Sequence, residues 1–227
     1  NALFISYPAL LKTIIDKNYH SNKDNLTSRS NEEIEFILEN LRKNNIDGDM
    51  TEYIKALKGQ DYNCLDPIMS KLLNLSHYLV DAYNHGNLSK DEENRILNLL
   101  FPVHGKNFKV GKGLFVELLG APRFGDNVTI GDNAFIAGNI SIGNNVHIGN
   151  NACFSAIGHS LVPEQRHIVF NSDGSMFDKI IIGKILIASN ISIGNNVSFV
   201  PGSCVTENIS NNSLVLPGDK VLNLEQQ

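Results

Sequence analysis

From Phe124 to Phe154 a bulky apolar residue recurs at every sixth position: Phe124, Ile130, Ile136, Ile142, Ile148 and Phe154. Gly or Ala follows each of the first five, and Asn or Asp fills the next two places at most steps. A second apolar or small series, Val128, Ala134, Ile140, Val146 and Ala152, keeps the same interval. A period of six suits neither a helix, at about 3.6, nor an isolated strand, at about 2. Short repeats of this kind predict a parallel β-helix, in which three hexads make one triangular coil of about eighteen residues. The large aliphatics point into the prism, the following small residue fits the tight corner, and Asn or Gly tolerates the positive φ that such corners need. After Ala156 the repeat breaks for an excursion over 156–180. Hexads resume at Ile182-Gly183 and continue through Ile187, Ile193, Phe199 and Val205.

Upstream the apolar spacing turns helical. A short helix is predicted from Pro8 to about Lys17, followed by a polar loop through Ser21–Arg29. Ser30-Asn31-Glu32-Glu33 reads as a capping box opening a helix through Ile34, Ile37, Leu38 and Leu41. Met50–Gly59 is a further helix closed by its glycine. Asp66 caps another, with Pro67 at its first position and Ile68, Leu72, Leu75, Leu79 and Tyr83 along one stripe. Ser89-Lys90-Asp91-Glu92 is a second capping box, and its helix ends before Pro102. The expected organisation is a helical extension over 1–49, a helical segment over 50–106, and a mainly β prism over 107–227.

Composition narrows the function. The net charge of -5, with no run of Lys or Arg, argues against nucleic acid as a partner. No apolar run approaches the ~20 residues of a membrane span. The first residues make a poor signal peptide, and the absence of an initial Met suggests a start inside a longer product. Three cysteines, Cys64, Cys153 and Cys204, have no metal spacing and fit reduced thiols in a cytoplasmic protein. His147, His159 and His167 do not recur at the coil period, so a three-histidine zinc site between coils is not expected, and no metal is.

The text from Met50 to about Val221 resembles the maltose/galactoside O-acetyltransferases, among the hexapeptide-repeat acetyltransferases. The resemblance is carried by MTEYIKALKGQDYNCLDP, by LVDAYNHGNLSKDEENRILNLLF and HGKNFKV, by the hexads, and by Gly158-His159 with Arg166 at the family's spacing. It implies a left-handed parallel β-helix, assembly as a homotrimer with sites between neighbouring prisms, and acetyl-CoA as co-substrate for O-acetylation of a sugar-like acceptor. It further implies His159 as general base and the Ser189 backbone N–H as oxyanion donor. Asp66, Glu117, Asp132, Asn133 and Arg166 are implied on the acceptor side, Arg166 equally as a pin for its own loop. Ser189, Pro201, Gly202, Thr206, Lys184 and Lys220 are implied on the coenzyme side.

The chain departs from that family in places. Ser160 replaces the usual Pro, and Gly131 stands where the family has an acceptor-binding Asn. A loop around Ala137-Gly138 is about two residues short, and Leu186 replaces a Trp after a turn that is one residue short. One hexad is missing by alignment between Ile187 and Val205. A serine-acetyltransferase-like enzyme and a non-catalytic prism that serves as a scaffold are the alternatives.

Overall fold

A computed structural model describes residues 29–159, 168–172 and 174–224. The helix expected over Pro8–Lys17, Arg166 and His167 lie outside them. Among the described residues four helices, α1 (Asn31–Lys43), α2 (Thr51–Leu57), α3 (Pro67–His85) and α4 (Lys90–Leu100), precede the prism. Their starts follow from local chemistry. The Asp66 carboxylate accepts the Ile68 N–H at 2.9 Å, and Ser89 with Glu92 forms a complete capping box. The box expected at Ser30 is only half formed. Ser30 accepts from Glu33 N at 3.2 Å, but the Glu33 carboxylate turns away to Arg29 at 2.5 Å and Arg123 at 3.0 Å. Two buried guanidinium groups outbid one backbone N–H for that carboxylate.

The hexads form three parallel faces. The first stacks Val103–His104, Arg123–Phe124, Asn139–Ile142, Lys184–Ile187 and Cys204–Val205. The second stacks Lys109–Val110, Val128–Ile130, Val146–Ile148 and Ser192–Ile193. The third stacks Phe115–Glu117, Phe135–Ala137, Cys153–Ser155, Ser198–Phe199 and Ser213–Val215, with Val221–Asn223 turning back antiparallel to close the end. Ile130, Ile136, Ile142, Ile148 and Phe154 are all buried inside, as are the five residues of the second series. The Phe154 and Phe199 rings stack at 4.7 Å.

Two of the three corners explain the Gly-Asn-Asn text. At the second-to-third corner Asp132 Oδ1 accepts Lys112 N, Asn150 Oδ1 accepts Asp132 N, Asn195 Oδ1 accepts Asn150 N, and Asn211 Oδ1 accepts Asn195 N, at 2.7–2.9 Å. The next residue makes a side-chain ladder, Asn133 to Asn151 to Asn196 to Asn212. The first-to-second corner repeats both devices through Asp126, Asn144 and Ser189 and through Asn127, Asn145 and Asn190. Asparagine carries the left-handed backbone here, with φ of 56° at Asn127 and 59° at Asn133. The glycines do something else. Gly125, Gly131, Gly143 and Gly149 are not at positive φ, but a Cβ on any of them would lie 2.3–2.6 Å from the side-chain oxygen of the next coil.

Rung partners lie 18 residues apart in the regular coils, 45 across the excursion and 16 in the last coil. Ile187 pairs in register with Val205, so that coil is complete on the first face. The shortfall falls later, between Val205 and Ile209, which sits beneath Ile193. The third-to-first corner has no ladder and absorbs the other irregularities. It runs through Leu118–Pro122, Gly138, the excursion, Pro201-Gly202 and Pro217-Gly218. Lys184 pairs with Asn139, so the short turn at Gly183 repeats the short turn at Gly138 one coil away.

The helices cover this irregular side. On the first face Arg123 Nε donates to Ser141 Oγ at 2.8 Å beneath Glu33, and Arg29 reaches the Ala121 carbonyl. Tyr53 Oη donates to Leu119 O at 2.6 Å, and Asn139 Nδ2 to Ala56 O at 3.3 Å. Ile34, Ile37, Leu38 and Leu41 of α1 are buried in the same core as Tyr53 and Leu119, so buried contacts cross the 49/50 division. Helix α3 lies on the third face, where Ser76 Oγ donates to Val116 O at 2.7 Å. The second face keeps its outward Thr129, His147 and Ser192 in contact with solvent.

Candidate active site

The excursion leaves the prism at Ala156 and returns at Gly183, whose N–H donates to Ala156 O at 2.7 Å. Its base is an antiparallel sheet in which Lys179–Ile182 pairs with Ile157–Gly158 on one side and with Tyr62–Asn63 on the other. The chain between α2 and α3 is therefore part of the excursion's own sheet. Beyond it Val169–Phe170 pairs with Met176–Phe177, and Phe170 is 72% exposed.

His159 directly follows the Ile157–Gly158 strand, with its side chain 48% exposed. Its Nδ1 lies 3.6 Å from Asp178 Oδ1. The other carboxylate oxygen, Oδ2, lies 3.5 Å from the Cys64 thiol. Asp178 is also held by its backbone: its N–H donates to Asn63 Oδ1 and its carbonyl accepts Cys64 N–H, both at 3.0 Å. Asn63 is anchored in turn. Its N–H donates to Glu52 Oε2 at 2.8 Å, and its Nδ2 donates to Met176 O at 3.1 Å. Burial, and then the Asp178 charge, push the Cys64 thiol up to about 11, so at neutral pH it is a protonated donor and not a nucleophile.

The other residues expected from the sequence are dispersed. Asp66 spends its carboxylate on the α3 cap. Glu117 ends a third-face strand half-buried, and its charge, after burial, raises the Tyr62 phenol. Asp132 and Asn133 sit in the second-to-third corner ladders. Ser189 is at the first-to-second corner, where its Oγ accepts Asn144 N at 2.8 Å. Among the described residues its own N–H meets no acceptor, because the next coil, through Thr206-Glu207, is shortened and offers no rung. Beside it an open groove of about 480 Å³ runs along the second face between Asn127, Asn145, His147, Asn190 and Asn208. Pro201 stacks directly under Gly183, and Gly202 has φ of 89°. Lys184 packs its Cε near Gly59. Thr206 lines a smaller cavity of about 160 Å³ with Glu207 and Asp219, next to exposed Lys220.

Asp178, which approaches His159, and Cys64 and Asn63, which hold Asp178, are not signalled by the sequence. Asp178 and Cys64 are 114 residues apart and belong to no periodic pattern. Tyr62-Asn63 as an added strand beside the excursion is a long-range pairing that local text does not signal. Among the described residues no group of three or more His, Cys, Asp or Glu is placed to hold a metal, and no helix is long and apolar enough to cross a membrane.

Residues 122–156 match the family described as bacterial transferase hexapeptide (six repeats). No curated protein matches the chain in sequence. Among solved structures the fold is shared with a hexapeptide-repeat-containing acetyltransferase from Vibrio cholerae, at 24% identity and a TM-score of 0.55 over 74% of this chain and 96% of that one. It is shared also with a galactoside acetyltransferase in complex with coenzyme A, at 22% identity and a TM-score of 0.52 over 75% of this chain and 90% of that one. A maltose O-acetyltransferase from Clostridium difficile 630 matches at 22% identity and a TM-score of 0.50, over 75% of this chain and 98% of that one.

Proposed function

We propose that this protein is an acetyl-CoA-dependent O-acetyltransferase acting on a hydroxyl of a carbohydrate-like acceptor, with His159 as general base. The observation that carries the reading is a half-exposed imidazole at the mouth of the one long excursion, with a carboxylate on the Nδ1 side of its ring. The fold shared with proteins named as acetyltransferases supports it, as does the acetyl-coenzyme A complex of the Vibrio cholerae protein. The Nε2 lone pair takes the acceptor's hydroxyl proton as its oxygen attacks the thioester carbonyl. The tetrahedral oxyanion then accepts the Ser189 N–H, which has no partner among the described residues. Collapse expels the coenzyme thiolate, the imidazolium returns the proton to it, and the products are an ester and free coenzyme A.

His159 and Ser189 lie on either side of the first face, which the strand Lys184–Ile187 crosses. At about 3.3 Å per residue that strand alone separates them by more than about 10 Å. A site that uses both therefore takes His159 from one prism and the Ser189 corner from a neighbour, so a left-handed prism assembled as a cytoplasmic homotrimer belongs to the same proposal. Glu117 and Arg166 would then face the acceptor with Asp66, Asp132 and Asn133 at its margins. Pro201, Gly202, Thr206, Lys184 and Lys220 would form the coenzyme side.

The test is thiol release from acetyl-CoA against a panel of mono- and disaccharides, with serine included. Acceptor-dependent release with a sugar supports the proposal, and release only with serine favours the serine-acetyltransferase-like alternative. No release with any acceptor leaves the prism as a scaffold.

A further inference from the structure

Asp178 is fixed on three sides before its carboxylate is considered. Its N–H is bound by Asn63 Oδ1, its carbonyl by Cys64 N–H, and the following residue, Lys179, pairs with Asp61 at 2.7 Å. The carboxylate is then divided between two neighbours. Oδ2 faces the Cys64 thiol at 3.5 Å, within the longer range of a hydrogen bond involving sulfur, and Oδ1 faces His159 Nδ1 at 3.6 Å. The side chain is 19% exposed against 48% for His159, so the carboxylate forms the inner wall and the imidazole the outer one. The second distance is beyond a hydrogen bond as it stands. Catalytic hydrogen bonds in unliganded sites are commonly long and shorten when substrate binds.

We infer that Asp178 is the positioning residue of His159: its carboxylate accepts Nδ1–H, holds the tautomer whose Nε2 is unprotonated, and is itself oriented by the Cys64 thiol. The inference rests on the proposed base role of His159 and extends it. A neutral imidazole offers one donor nitrogen and one acceptor, and the partner of one decides what the other can do. A thiol held protonated gives Oδ2 a donor, which leaves Oδ1 for the ring. In Asp178→Asn the amide oxygen takes the thiol's hydrogen and the amide NH₂ faces His159. The ring must then accept at Nδ1 and carry its proton on Nε2, which removes the base. The segment between α2 and α3 thus acts on the reaction centre through Cys64 and Asn63 without touching substrate.

The test uses the full chain with ¹⁵N-labelled histidine, at about pH 8.5 where an ordinary imidazole is neutral. The His159 resonances are assigned by difference against His159→Gln. The wild type should show Nδ1–H. Asp178→Asn should shift the ring to Nε2–H and lower kcat by about 10²-fold or more with the KM for acetyl-CoA unchanged. Asp178→Glu should recover part of both losses. Cys64→Ser should keep the wild-type tautomer, whereas Cys64→Ala should weaken the bias; if Asp178→Asn does not fold, this pair of variants carries the decision. An unchanged tautomer in Asp178→Asn, or Nε2–H in the wild type, overturns the inference even if His159→Ala abolishes turnover. The tautomer result stands equally if no acceptor is ever turned over, in which case the enzyme reading fails and the positioning contact does not.

Discussion

The two laddered corners and the third-to-first corner hold the same coil in different ways. At the laddered corners the regular coils contribute a small residue, an oxygen-bearing side chain and an asparagine, and each rung repeats the one before it until the shortened coil at Thr206-Glu207. Nothing can be inserted there without breaking bonds in the coils above and below. The third-to-first corner has no ladder. Its turns range from a single glycine at Gly138 to the excursion, and the N-terminal segment holds it from outside, with Arg29 on Ala121, Glu33 on the prism's Arg123, and Tyr53 on Leu119. The periodic corners provide rigidity, and the aperiodic one provides a place where His159, Asp178 and Cys64 converge.

Breaking the contact between the N-terminal segment and the prism should cost the most. Replacing Glu33 by Ala leaves Arg29 and Arg123 without their shared carboxylate in a buried site, which costs about 3–5 kcal/mol. Denaturant unfolding should show that loss, and removal of residues 29–49 should be at least as damaging. A Glu33→Ala protein of wild-type stability would mean that α1 merely rests on the prism.

A smaller difference separates two glycines. A Cβ at Gly131 would meet Asn150 Oδ1 at 2.3 Å and the backbone of the next coil at 2.8 Å, so Gly131→Ala should cost about 1–3 kcal/mol. A Cβ at Gly158 meets nothing within 4 Å, so Gly158→Ala should stay within about 0.5 kcal/mol. Equal thermal shifts in the two variants would break the distinction between the corners.

The smallest effect is one of rate. With the Cys64 thiol pushed up to about 11, its alkylation by iodoacetamide should be slow at neutral pH. The rate should then climb about tenfold per pH unit, because only the thiolate reacts. A plateau near pH 8.5, the ordinary thiol range, would place Asp178 and the burying strand elsewhere.

These contrasts also mark what the sequence could convey. The prism was legible because each hexad states its own role: the aliphatic, the glycine and the asparagine recur, and one coil predicts the next. Even so, the glycines and asparagines divide their tasks differently from expectation: Asn127, Asn133, Asn145 and Asn151 hold positive φ in the laddered corners, as Gly113 does one coil earlier, whereas Gly125, Gly131, Gly143 and Gly149 do not. The Asp66 and Ser89 caps were legible because they are local. The Ser30 box was misread in part, since Arg123, ninety residues away, claims Glu33. His159 was found through resemblance. Its surroundings were not, because Asn63, Cys64 and Asp178 meet only when an inter-helix segment adds a strand to the excursion.

Whether the aperiodic corner carries the proposed base is decided by kcat of His159→Ala with the best acceptor found. Its kcat should fall by about 10²–10⁴-fold with acetyl-CoA affinity nearly unchanged. His147→Ala, on the outward side of the second face, should stay close to wild type. A His159→Ala protein that keeps most of its turnover would contradict the assignment.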